Sequence, residues 1–417
     1  MSAEPALATG GIKGQGRLHY FVTGVGIDMN ILVTPDSFKG SMTSAEAAEA
    51  IYSGIKKSPF AGAKIQMVPM ADGGEGTADA LLAPLHAEKV LVKTVDPIGR
   101  KTEGFFAWNE ERKLALIETA AASGITLLSE PELDPLAATT HGTGIIMKAA
   151  LDKGAEEIVL GIGGSATVDG GAGCLQELGC EFFNEKGQPI QRVSGRLEEI
   201  EHIHTENLDV RLKNVKLVIA SDVKNPLLGE KGAIAVFGPQ KGVLKEEIPF
   251  FENGMEQFAE LTVKATGKDY RNAPGAGAAG GVGFSLMSYF EGEMKNGFDL
   301  IAELTSLEEK IEWADLVISG EGKLDEQTFY GKGPMGVART ALAKNKIVLL
   351  FGGSVSESFI KGTYDEENLI PVSLTHEIIP LQQAMSHGKQ LLELACRQSL
   401  KTLYTGADRL GGFINGE

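Results

Sequence analysis

Five short runs of β-branched and leucine residues each end at a polar, glycine-bearing block. Ile31-Leu32-Val33-Thr34 runs into Pro35-Asp36, Ile158-Val159-Leu160 into Gly161, and Leu217-Val218-Ile219-Ala220 into Ser221-Asp222. Leu316-Val317-Ile318 meets Ser319-Gly320-Glu321, and Ile347-Val348-Leu349-Leu350 meets Phe351-Gly352-Gly353. Unbroken apolar runs of this length suit strands covered on both faces of a parallel sheet. Between them the spacing becomes helical. Thr43-x-x-Glu46 is a capping box ahead of Ala47, Ile51 and Ile55, and Pro334 opens a second pattern through Val337, Ala338, Ala341 and Leu342. Strand, polar loop, helix, strand is the order of an α/β protein, whose ligands bind at the carboxyl ends of the strands.

Two stretches alternate differently. Val90-Leu91-Val92 and Phe105-Phe106-Ala107-Trp108, around Asp96-Pro97-Ile98-Gly99, predict a β-hairpin. Cys180-Glu181-Phe182-Phe183, with a turn at Asn184-Glu185-Lys186-Gly187, predicts another. The expected architecture is therefore α/β with two domains and the active site in the cleft between them. A Rossmann-like parallel-sheet domain is expected from 29–75 and 298–417, with a mixed α/β domain, 76–297, inserted in it. Residues 1–28, rich in glycine and small residues, read as an N-terminal extension without the basic and apolar regions of a secretory signal.

Composition narrows the partners. A formal net charge of −17 argues against nucleic acid or an anionic membrane surface. No apolar run approaches the roughly 20 residues that cross a bilayer. Cys174, Cys180 and Cys396 form neither a C-x-x-C pair nor a metal spacing, as expected of reduced thiols in a cytoplasmic protein. Homo-oligomer formation is left open. Glycine is the outlier: 53 of 417 residues, where the usual share is about 7%. The glycines sit beside acids and hydroxyls after apolar runs, where backbone approaches ligand.

The nucleotide signatures mostly fail. There is no G-x-x-x-x-G-K-[ST], and the one G-x-G-x-x-G, Gly275 to Gly280, follows Arg271-Asn272-Ala273-Pro274 rather than a strand. It reads as a tight helix-start loop. Asp36-Ser37-Phe38-Lys39-Gly40 is more informative: Lys39 suits a transferring phosphate, while Asp36 and Ser37 suit a polar substrate. Asp72 and Glu75, in a glycine-rich bend, could hold Mg²⁺ or a polyol. The block Gly161 to Gly171, with Gly163, Gly164, Ser165 and Asp169, offers amides and hydroxyls to an oligophosphate. Asp222 could take a proton from an attacking hydroxyl or bind a metal. The densest polar block runs from Ser319 through Glu321, Asp325 and Lys332 to Pro334. His141 is the only one of seven histidines inside such a loop, and reads as a structural residue.

As a set these blocks resemble the bacterial glycerate kinase family, type 1, similar to glycerate 2-kinases. The matching segments are DSFKGS at 36–41, PMADGGEGT at 69–77, TTHGTG at 139–144 and GIGGSATVDGGAG at 161–173. They continue with ASDVKNPLLG at 220–229, FGPQKG at 237–242, GAGAAGG at 275–281 and SGEGKLDEQTFYGKGPMGVA at 319–338. The resemblance implies transfer of phosphate from ATP to D-glycerate with Mg²⁺, giving 2-phosphoglycerate. On this reading Asp222 orients or deprotonates the hydroxyl, and Lys39 stabilises the moving phosphoryl group beside Asp36 and Ser37. Glu321 and Asp325, with Asp72, hold Mg²⁺. Gly163, Gly164, Ser165, Asp169 and Lys332 bind the nucleotide. Two rivals use a similar sheet and polar cleft: a nicotinamide-dependent hydroxyacid dehydrogenase, which needs a strand before its glycine motif, and a non-catalytic sugar-acid-binding protein.

Overall fold

The computed structural model describes residues 29–70, 74–331 and 333–406. Its strands begin with β1 Asn30–Val33, β2 Lys64–Met67, β3 Glu88–Val95, β4 Lys101–Asn109, β5 Leu114–Glu118 and β6 Glu157–Gly161. They continue with β7 Glu181–Phe183, β8 His202–His204, β9 Lys216–Ala220, β10 Glu293–Lys295, β11 Leu316–Leu324, β12 Ile347–Val355 and β13 Leu369–Ser373. The N-terminal extension expected at 1–28 lies outside the described residues. The chain divides into two compact units and passes between them after Pro69 and after Leu307.

The first unit is built on a wholly parallel sheet in the order β13-β12-β11-β1-β2. Its central strands β1, β11 and β12 are apolar where both faces are covered, whereas the edge strand β2 is partly exposed. Ile31, Val33, Ile318, Leu349 and Phe351 pack with Ala47, Ile51 and Ile55 of helix Ser44–Lys56 and with Leu392, Cys396 and Leu400 of helix Gly388–Thr405. Helix Pro334–Ala343 packs on β11 and β12. The capping box read in the sequence is formed. Thr43 Oγ1 accepts from the Glu46 amide at 3.2 Å, and the Glu46 carboxylate accepts from the Thr43 amide at 2.9 Å.

The second unit carries a mixed sheet, β10-β9-β6-β5-β4-β3, in which β10, β9, β6 and β5 are parallel. β4 is antiparallel to both β3 and β5, and the expected hairpin joins β3 to β4. Asp96 makes that turn by accepting the amides of Ile98 and Arg100. Trp108, Ile117, Ile146, Leu160, Ile219, Phe258 and Phe284 belong to one continuous core. The second expected hairpin forms as a short one: Asn184 N donates to Gln188 O at 3.0 Å and Ile190 N to Phe182 O at 2.8 Å, with an antiparallel bridge between Phe183 and Pro189. Pro189 has no N–H to extend a ladder there, and the longer partner of β7 is β8.

Candidate active site

In the first unit Asp36, Ser37 and Lys39 follow the end of β1 and run alongside β11, which carries Glu321 and continues to Leu324. Backbone bonds continue past the end of β1, Thr34 N to Ile318 O at 2.8 Å and Asp36 N to Gly320 O at 2.9 Å, and they pin the 35–42 loop along β11. Ser319 Oγ donates to Thr34 O at 2.7 Å and ties the same two elements. Asp36 thereby lies close enough for its charge to reach Glu321. The Glu321 carboxyl is raised above its ordinary value by burial, with the negative charges of Asp36 and Asp325 adding; the Thr328 hydroxyl and Lys39 act the other way. Ser37 donates its amide to Asp36 Oδ1 at 2.6 Å, and Lys39 stands exposed at the loop tip. A side chain on Gly353 would collide with the Gly322 carbonyl, so the two glycines let backbone pack on backbone behind Lys39.

Asp325 belongs to the same block but has other work. It caps helix Glu326–Tyr330, accepting the Gln327 amide at 2.9 Å, and pairs with Lys323 at 2.8 Å. That lysine is the first cause of its lowered carboxyl pKa. Asp72 and Lys332 lie outside the described residues. Among the described residues no three His, Cys, Asp or Glu side chains come together as a metal-holding group.

In the second unit three parallel strands end in a row: Glu118 pairs with Gly161, and Gly161 with Ala220. Each strand end supplies something polar. Gly163 and Gly164, two and three residues beyond β6, are the accessible part of the 162–171 loop. Ser165 is buried, and its hydroxyl accepts from Lys241 Nζ at 2.8 Å. Asp222, two residues beyond β9, is exposed and accepts from Asn296 Nδ2 and from the Gly297 amide at 2.9 Å. Asp169 points inward instead. Fully buried, it accepts the amides of Thr140, Gly171 and Gly173 and the Thr140 hydroxyl. It fixes the loop's shape from behind.

Two buried ionisable groups were given no role from the sequence. Glu118 receives the amides of Gly76 and Ala78, holding the 74–78 bend against β5, and burial raises its carboxyl to about 7. Its signal was present, since Leu114 to Ile117 is another apolar run ending in an acid. Lys241 is wholly buried and also donates to Thr167 O at 2.8 Å. In the sequence it is a lysine beside a glycine, like many surface lysines.

The remaining motifs make contacts within the fold. Gly275 to Gly280 is reached from helix Ile248–Thr266 through a loop, not from a strand, and leads into helix Val282–Phe290. Gly280, at φ +68°, accepts the Gly170 amide through its carbonyl and so braces the 162–171 loop. His141 opens helix His141–Asp152 with Nε2 3.5 Å from a Glu177 oxygen. The three cysteines are buried free thiols, and burial pushes Cys180 and Cys396 up to about 12.

Each unit brings polar groups to its parallel strands, carboxylates and a lysine in the first and carboxylates and open amides in the second, as α/β enzymes that handle small anionic substrates do. The family described as glycerate kinase matches residues 31–404. A glycerate kinase of Bacillus subtilis is 42% identical over 369 residues, covering 88% of this chain and 96% of the relative. A glycerate 2-kinase of Escherichia coli is 41% identical over 329 residues, covering 79% and 86%. A crystal structure from Salmonella typhimurium LT2, assigned as a glycerate kinase 2, superposes with a TM-score of 0.80 at 36% identity, covering 91% of this chain and all of that one. The chain belongs to the glycerate kinase family.

Proposed function

We propose that this enzyme transfers the γ-phosphoryl group of ATP to the 2-hydroxyl of D-glycerate, releasing ADP and 2-phosphoglycerate. In a chain of this family, the observation that carries the reading is the grouping of Asp36 and Lys39, just beyond β1, with Glu321 on the neighbouring strand β11. Phosphoryl transfer needs positioning and charge stabilisation more than covalent help from the protein. Lys39 stabilises charge on the moving phosphoryl oxygens, while Asp36 and Ser37 hold the acceptor. Asp222, kept in place by Asn296 and Gly297, takes the hydroxyl proton. Gly163, Gly164 and Ser165 present amides and a hydroxyl to phosphate oxygens.

Magnesium suits the donor set of the first unit. Glu321 is a hard oxygen ligand whose charge is disfavoured by burial and by Asp36, which a divalent cation relieves. One or two carboxylates with nucleotide phosphates and waters are enough for this ion, so no all-protein cage is required. Glu321, with Asp36 or Asp72, would hold it; Asp325 is committed to its helix cap and to Lys323. Bound there, the ion neutralises phosphate charge.

The test is ADP release on mixing enzyme, MgATP and D-glycerate, followed by phosphorus NMR of the product. Glycerate-dependent ADP and a 2-phosphoglycerate resonance are expected. A 3-phosphoglycerate resonance would reassign the acceptor hydroxyl. Glycerate binding without ADP would leave a sugar-acid-binding protein.

A further inference from the structure

Lys241 lies beneath the loop that follows β6. Its ammonium group is wholly buried and donates to two acceptors on that loop, Ser165 Oγ and Thr167 O, both at 2.8 Å. Neither acceptor carries a charge. Among the described residues no carboxylate lies within ion-pairing distance of Lys241, and Asp169 is the one titratable group whose charge reaches it. The Asp169 carboxylate is already shared among the Thr140 hydroxyl and three backbone amides. A buried cation without a counter-ion is costly, and a neutral donor could make the same two bonds without that cost.

The loop above it has the opposite deficit. Gly163 and Gly164 are its accessible residues, Ser165 links them to Lys241, and Thr167 Oγ1 is buried without a hydrogen-bond partner among the described residues. We infer that the Gly163-Gly164-Ser165 turn is an anion site and that Lys241 is its buried counter-charge, coupled to the ligand through the Ser165 hydroxyl. The ligand group is a carboxylate or a phosphate, from the acceptor acid or the nucleotide. This rests on the phosphate-cradle role proposed for the same turn and adds the group that supplies its positive charge. Lys241 is thus a positioning residue: it orients Ser165 and charges the site without contacting the reacting atoms.

The inference has a signature that a structural lysine lacks. Burial lowers the Lys241 ammonium to about 7, with Asp169 opposing. Just above that pH the free enzyme carries a largely neutral amine, and an arriving anion favours the charged form. Binding must then draw a proton from solution.

The experiment is calorimetric titration of the full-length enzyme at about pH 8, in two buffers of different ionisation enthalpy. D-glycerate alone is the probe in one arm and ADP alone in the other. Uptake of a sizeable fraction of one proton per site is expected in one arm, and that arm identifies the source of the anion. Lys241→Met should abolish the uptake and weaken that ligand by at least about tenfold, with circular dichroism checking that the variant folds. Ser165→Ala, which leaves the lysine in place, should weaken the same ligand by less. Wild-type binding without proton uptake in both arms would overturn the inference, and needs no variant. So would undiminished affinity in folded Lys241→Met. Glycerate-dependent ADP release alongside either result would leave the kinase reading intact and remove only the role given to Lys241.

Discussion

Lys39 and Glu118 illustrate two ways in which a single side chain reports on this enzyme. Lys39 is exposed, so removing it costs the fold little, and its value lies in the charge it presents beside Glu321. Lys39→Ala should lower kcat by roughly 10²–10³, the usual cost of losing one transition-state charge stabiliser. The KM for glycerate should change far less, and steady-state kinetics separates the two. Near-normal turnover would remove Lys39 from the mechanism. Glu118 is buried, and its carboxyl is raised from 4.5 to about 7 by desolvation, with Asp79 and Glu75 adding and the Ala78 and Gly76 amides opposing. The folded state therefore keeps this proton where the unfolded chain has lost it. Its stabilising contribution is full below the unfolded value and is lost as pH rises through about 7. Glu118→Gln stays neutral throughout, so it should gain on the parent between about pH 5 and pH 8, by at most about 3 kcal/mol. Urea unfolding of both proteins at the two pH values measures the gain. Parallel curves would mean that Glu118 ionises normally.

The glycine-rich turns show which elements the chemistry depends on. Gly280 sits at φ +68°, and a side chain there would collide with the Thr167 carbonyl. Gly187 has a similar φ of +69° but open space around it. Both alanine variants should lose roughly 1–3 kcal/mol from backbone strain. Gly280→Ala alone should push the 162–171 loop and lower kcat/KM, by at least about tenfold, when assayed beside Gly187→Ala. Equal activity in the two variants would separate that loop from catalysis. Elements were legible in the sequence where one physical cause dominated. Strands buried on both faces, such as β1, β6, β9, β11 and β12, had to be apolar, and Thr43 and Glu46 could cap a helix with local bonds alone. β8 and β10 were hidden because they are short and carry His202, His204, Glu293 and Lys295, which have no pattern of their own. The pairing of β7 with β8 was not legible, because a good local turn says nothing about which distant strand joins it. Asp36 and Glu321 could be read because acids ended apolar runs. Lys241 could not, since its burial is created by elements far away in the chain.

At the scale of the molecule, the two units differ in how the chain enters them, and this should order their unfolding. The second unit is one continuous segment, Met70–Leu307, with its own core. The first unit joins residues 29–69 to 308–406, and its sheet depends on β1 pairing with β11 from the far side of that insertion. If the second unit unfolds first, the first must close a flexible loop of more than 200 residues, at an entropic cost on the order of 5 kcal/mol. That is comparable to the whole stability of a typical domain. The second unit bears no such cost when the first unfolds, because its ends simply become tails. The sequence supplies a reporter for each: its two tryptophans are Trp108, buried in the second unit, and Trp313, half-buried in the first. Trp313→Phe leaves fluorescence from Trp108 alone, and Trp108→Phe leaves Trp313 alone. In urea titrations the Trp313 signal should therefore change at the same or a lower denaturant concentration than the Trp108 signal. Circular dichroism of each variant controls for any stability lost with the substituted ring, a larger concern for Trp108, which is 1% exposed. A Trp108 transition clearly preceding that of Trp313 would mean that the split unit holds together around an unfolded insertion, against the loop-closure argument.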